Sequence, residues 1–126
     1  MTVQEAINRE DKLKSNKIDL EQKIRWLTEL DRQVYEEIVR THETDIEEPD
    51  FLSYGLTTQL IIPDVYSNIY LTYLEMKIAI ANGETKVYNR AATDYNNAYI
   101  TVQDYFNRNY MPITKARIDY NHKRWL

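Results

Sequence analysis

Apolar residues recur at three- and four-residue intervals in four stretches of the chain, the period of helices with one buried face. The first stretch, 3–13, is short. Val3, Ala6 and Ile7, with Leu13 beyond them, give a narrow stripe. Thr2 followed three residues later by Glu5 is a capping-box pattern. Lys14-Ser15-Asn16-Lys17 breaks the pattern. A second helix is predicted over about 20–41, with Asp19 as N-cap and Glu21 in the first turn. Its stripe is Leu20, Ile24, Leu27, Leu30 (or Asp31), Val34 and Ile38, widened by Trp26, Tyr35 and Val39. A third is predicted over about 63–81, with Pro63 at the first helical position. Val65, Ile69, Tyr70, Thr72, Tyr73, Met76 and Ile80 form its inward face, and Asn82-Gly83 is its stop, with Gly83 left-handed. The fourth, about 84–110, is the clearest. Val87, Ala91, Tyr95, Ala98 (or Tyr99), Val102, Phe106 and Tyr110 step by three or four, and Pro112 ends it.

The connection between the third and fourth helices is so short that they must be antiparallel neighbours. Residues 42–62 lack helical period. A stretch of that length without regular structure is uncommon in a compact domain and is often functional. Thr57–Ile62 has the length of a short strand, with Phe51–Tyr54 or a neighbouring subunit as its partner. The tail, 113–126, shows no core stripe. Extended, it would reach about 45–50 Å. The expected fold class is all-α: a small helical bundle with a long antiparallel αα-hairpin, a long irregular loop and a C-terminal extension. The expected division is a helical domain over 1–112 and a basic tail over 113–126.

Composition narrows the chemistry. The 126 residues include no cysteine and two glycines, which removes disulfide scaffolds, thiolate sites and glycine-rich phosphate loops. No apolar run is long enough for a membrane span, and the first residues do not read as a signal peptide. His42 and His122 lack ligand-spaced neighbours, so no metal is expected, and His42 reads as an exposed helix-end residue. Ser15, Ser53 and Ser67 sit in no nucleophile motif. Neither enzyme activity nor a cofactor is expected.

The net charge of −4 conceals a division. Residues 112–126 carry Lys115, Arg117, Lys123 and Arg124 against Asp119, a net of +3, so residues 1–111 carry −7. Glu43, Asp45, Glu47, Glu48 and Asp50 form an acidic run with no cation among them. An acidic loop and a basic tail on one small chain suggest contacts to partners. Eight of the eleven tyrosines lie between Tyr66 and Tyr110. Tyr66, Tyr70, Tyr73, Tyr88, Tyr95, Tyr99 and Tyr105 read as helix-packing and subunit-contact rings. Stacking of single-stranded bases would also need a basic groove, and only Lys77, Lys86, Arg90 and Arg108 are cationic in that span.

The series Pro63-Asp64-Val65-Tyr66, Tyr70, Tyr73-Leu74, Asn82-Gly83-Glu84, Tyr88-Asn89 and Asn107-Arg108-Asn109-Tyr110-Met111-Pro112 resembles the head–tail connector proteins of long-tailed bacteriophages, also termed adaptor or head-completion proteins. Glu5-Ala6-Ile7, Lys23-Ile24-Arg25-Trp26-Leu27 and Leu30-Asp31 are similar too. The resemblance covers about 1–112, and its motifs are structural rather than catalytic. It implies a homo-oligomeric ring, twelve-fold like the portal it docks beneath. Such a ring would extend the DNA channel, touch packaged double-stranded DNA passively, and offer a platform to a stopper or tail-completion protein. The implied location is the virion neck, after synthesis in the host bacterial cytoplasm, with no membrane contact. The tail lies beyond the resemblance; its charge and apolar end suggest separately that Lys115, Arg117, Lys123, Arg124, Trp125 and Leu126 dock onto the portal or a neighbouring subunit. The alternative is a small phage nucleic-acid-binding or regulatory protein.

Overall fold

The structure, a computed structural model, describes residues 1–113. The described chain is mostly helical, with four α-helices and no sheet. They are α1 (Val3–Leu13), α2 (Leu20–Val34), α3 (Asn68–Asn82) and α4 (Thr85–Asn109).

Helix α1 begins where its sequence says it should. The Thr2 side chain accepts from the Glu5 N–H, and the Glu5 carboxylate accepts from the Thr2 N–H. The first N–H groups of a helix have no partner of their own. Here the loop supplies carbonyls for two of them: Val3 donates to Thr58 (3.0 Å) and Gln4 to Leu56 (3.0 Å). Leu60 in turn donates to the Met1 carbonyl (2.9 Å). The predicted strand at Thr57–Ile62 is therefore a single antiparallel bridge, Gln59 to Thr2. Its partner is the start of α1, not Phe51–Tyr54.

Helix α2 starts after Asp19, whose side chain makes no capping bond. At Tyr35–Val39 it passes into one π-helical turn, closed by Arg40 N–H donating to the Tyr35 carbonyl (2.8 Å). The extra residue lets both Ile38 and Val39 reach the core. The helical backbone thus ends at Val39, close to the expected limit. Pro63 starts a 3-10 turn over Asp64–Tyr66, and α3 follows only at Asn68.

Gly83 adopts φ 70°, ψ 23°, and the Gly83 and Glu84 N–H groups return to the Ile80 and Ala79 carbonyls. This left-handed stop reverses the chain so that α4 lies antiparallel along α3. Helix α3 also packs against α1 and α2 and forms the centre of the bundle. Its buried residues are Ile69, Tyr70, Tyr73, Leu74, Ile78 and Ala79. Two expected inward positions are exposed instead, Val65 (81 %) and Ile80 (53 %). Val65 lies in the 3-10 turn before the helix, and Ile80 in the last turn, beside the reversal. Leu13 and Leu20 are exposed for a similar reason, since each lies at a helix end. In α4 the predicted Ala91, Tyr95, Val102 and Phe106 are buried. A second bridge, His42 to Pro112, ties the end of α4 to the end of α2.

Candidate functional site

Three features can meet a partner: an acidic loop, files of tyrosines, and clefts between helices. The loop is held in place from below. Asp31 stands in phase with the α2 stripe and is 0 % exposed. It accepts from Tyr70 Oη (2.6 Å), Tyr54 Oη (2.7 Å) and the Ile61 N–H (3.1 Å). Tyr70 Oη also accepts from the Ile62 N–H (2.9 Å). Burial pushes the Asp31 carboxyl up to about 6, against the pull of these donors, which favour the charged form. One carboxylate thereby joins α2, α3 and both ends of the segment 54–62. Phe51 and Tyr54 pack with tilted rings at 5.6 Å, and Arg32 lies over Phe51 at 5.3 Å, so the loop also rests on α2 by its aromatic rings.

Above this anchor, Glu43, Asp45, Glu47, Glu48 and Asp50 are all exposed. Glu48 lies 3.7 Å from Arg40, and the Asp50 carboxylate accepts from the Leu52 N–H (3.1 Å). Leu52 at the loop's tip is 93 % exposed. It borders a groove of about 390 Å³ against α2, lined by Ile24, Arg25, Arg32, Phe51 and Tyr54.

The tyrosines separate into groups. Tyr70 is buried with Asp31. Tyr73, Tyr95 and Tyr99 form a file with centroid separations of 5.2 and 6.1 Å. Tyr99 donates to Glu37 at the far end of that file. The Tyr95 hydroxyl is buried with no hydrogen-bond partner among the described residues. Tyr66 packs against Tyr105 in a tilted arrangement (4.9 Å), next to Phe106 and Tyr110. Tyr88 lines a small hollow at the α3–α4 turn with Ala79, Ile80 and Gly83.

His42 is not the exposed helix-end residue expected. The π turn carries it inward, where its ring packs on Phe106 (5.8 Å). Its Nδ1 is 2.7 Å from the Ile38 carbonyl, and its Nε2 is 2.8 Å from Asn107 Oδ1.

One group had no motif to announce it. Glu10, on α1, is 2 % exposed and faces a cleft of about 190 Å³ with Leu13, Leu71, Thr72, Glu75 and Asp94. Its phase with Val3, Ala6 and Ile7 is the signal that could have placed it inward. Burial pushes its carboxyl up to about 7, helped by the nearby Glu75 and Asp11 charges and opposed by those of Lys14 and Lys23. Lys23, also buried, binds Asp11 at 2.9 Å.

Lys115, Arg117, Lys123, Arg124, Trp125 and Leu126 lie outside the described residues. Among the described residues, no group of three or more histidine, aspartate or glutamate side chains is placed to hold a metal ion. No described helix is long and apolar enough to cross a membrane. Compared with models of protein families, with curated proteins and with solved structures, the chain matches none of them.

Proposed function

We propose that this chain is a structural subunit of a phage neck: a head–tail adaptor that forms a ring below the portal, extends the DNA channel and presents a platform to a stopper or tail protein. The observation that carries this reading is the series from Pro63 to Pro112 that resembles connector proteins. Several of its members set the domain's shape. Tyr70 holds Asp31, Gly83 makes the hairpin turn, and Tyr66 packs against Tyr105 of α4.

Two surface features support the same reading. A ring closes through heterologous contacts, in which one face of a subunit meets a different face of the next. Large apolar side chains are exposed on several separate elements: Leu52 on the loop, Val65 before α3, Ile100 on α4 and Met111 after it. The five exposed carboxylates of the loop suit a channel lining, because a lumen that passes the genome should not bind its phosphates. The basic tail, with Trp125 and Leu126 as apolar anchors, docks onto the portal or a neighbouring subunit.

Truncation after Pro112 tests the assignment of the tail. The truncated chain should keep its helical circular dichroism and fail to join heads to tails. Head completion by the truncated chain would remove the tail from the account.

A further inference from the structure

The cleft beside Glu10 is short of positive charge. Glu10 is 2 % exposed, and among the described residues its carboxylate makes neither a hydrogen bond nor an ion pair, its oxygens keeping slight contact with solvent. The charges of Lys14 and Lys23 reach it, but each of these cations is ion-paired with another carboxylate, as is Arg90 beside Glu75. Lys14 binds Glu84 (3.0 Å), Lys23 binds Asp11 (2.9 Å), and Arg90 binds Glu75 (2.8 Å). The mouth of the cleft adds Glu75 on α3 and Asp94 on α4. With Arg90 counted against them, three carboxylates face one guanidinium. A buried carboxylate without a partner is costly, and a cation brought to it recovers that cost.

The shape of the cleft selects among cations. Its walls are Leu13, which is 72 % exposed, and Leu71, with Asn68 and Thr72 as polar neighbours. Those surfaces suit the alkyl stem of a long basic side chain with its charged head against the carboxylates. The chain itself carries such side chains, a net +3 over residues 112–126 set against −7 in the rest.

We propose that this cleft is a receptor for a lysine or arginine of the basic C-terminal segment of a second copy of the chain. The proposal rests on the ring reading for its neighbouring copy and gives that ring one defined contact.

The test is sedimentation of the full-length protein over a range of concentrations at low and high salt. Wild type should associate, and less so at high salt. Glu10→Gln keeps the side chain's size and should weaken association by at least about tenfold with unchanged helicity. Replacing Lys115, Arg117, Lys123 and Arg124 together by Ala should weaken it comparably. The combined variant should be little weaker than either alone, because both changes remove one contact. Asp94→Asn, at the exposed mouth, provides a second variant should Glu10→Gln fail to fold, and it should weaken association measurably. The proposal is overturned if Glu10→Gln, or in its place Asp94→Asn, associates as tightly as wild type. It is equally overturned if the two losses simply add, or if wild type stays monomeric at every concentration. Rings on portal vertices together with any of those results would leave the neck assignment standing without this contact.

Discussion

A buried carboxylate is costly to ionise unless donors face it. Asp31 meets that requirement with two tyrosine hydroxyls and a backbone N–H, drawn from positions up to 39 residues away. Asp31→Ala leaves the Tyr54 and Tyr70 hydroxyls and the Ile61 N–H facing an empty site. It should cost about 3–5 kcal/mol in urea unfolding, the range for breaking a buried charged network. A loss under about 1 kcal/mol would mean that the hydroxyls find other partners. Glu10 behaves differently, because it has no donors. Its folded value of about 7 lies above the ordinary 4.5, so the folded chain binds more protons between those limits. The stability it contributes is therefore present below pH 4.5 and is lost as pH rises through 7. Glu10→Gln should be matched by wild type in acid and should exceed it increasingly up to about pH 8, as read from unfolding curves across pH. A constant difference would place the Glu10 carboxyl in water. Periodicity marks Asp31 as an inward position but says nothing of its donors, which arrive through tertiary contact. Glu10 carries the same phase and no other sign.

The elements whose ends are fixed by local chemistry were the most legible. The Thr2–Glu5 box and the Gly83 stop act within a few residues, and both appear where the sequence places them. Gly83 sits at φ 70° with open space where a Cβ would lie, so Gly83→Ala isolates the backbone cost. It should lower stability by about 1 kcal/mol, with the helices retained. No loss of thermal stability would mean that the turn can relax out of the left-handed region. Helix α3 was harder to read because three other helices surround it. A helix apolar on nearly every side has no single stripe, so periodicity does not single out Leu74, Ile78 and Ala79 and points exposed Val65 and Ile80 inward. The loop's irregularity is visible in its lack of period. Its backbone pairing with Met1–Gln4 is not, because isolated bridges leave no period. The π turn that buries His42 is likewise a one-residue register change invisible to a 3.6-residue pattern.

Taken together, the described residues form an α-bundle that carries an anchored acidic loop, exposed apolar side chains on several elements, and a cleft short of positive charge. Its size and its charge division were plain from the sequence. Which surfaces meet which partner is a property of an assembly, and no pattern within one chain encodes it directly. As a neck adaptor, the protein is proposed to build a ring on a portal from these surfaces. Negative-stain imaging of purified portal vertices with and without the full-length protein checks this. An added ring of density coaxial with the portal is expected, present only when the protein is added. Portal images unchanged by the protein, together with DNA binding that falls steeply with salt, would contradict it.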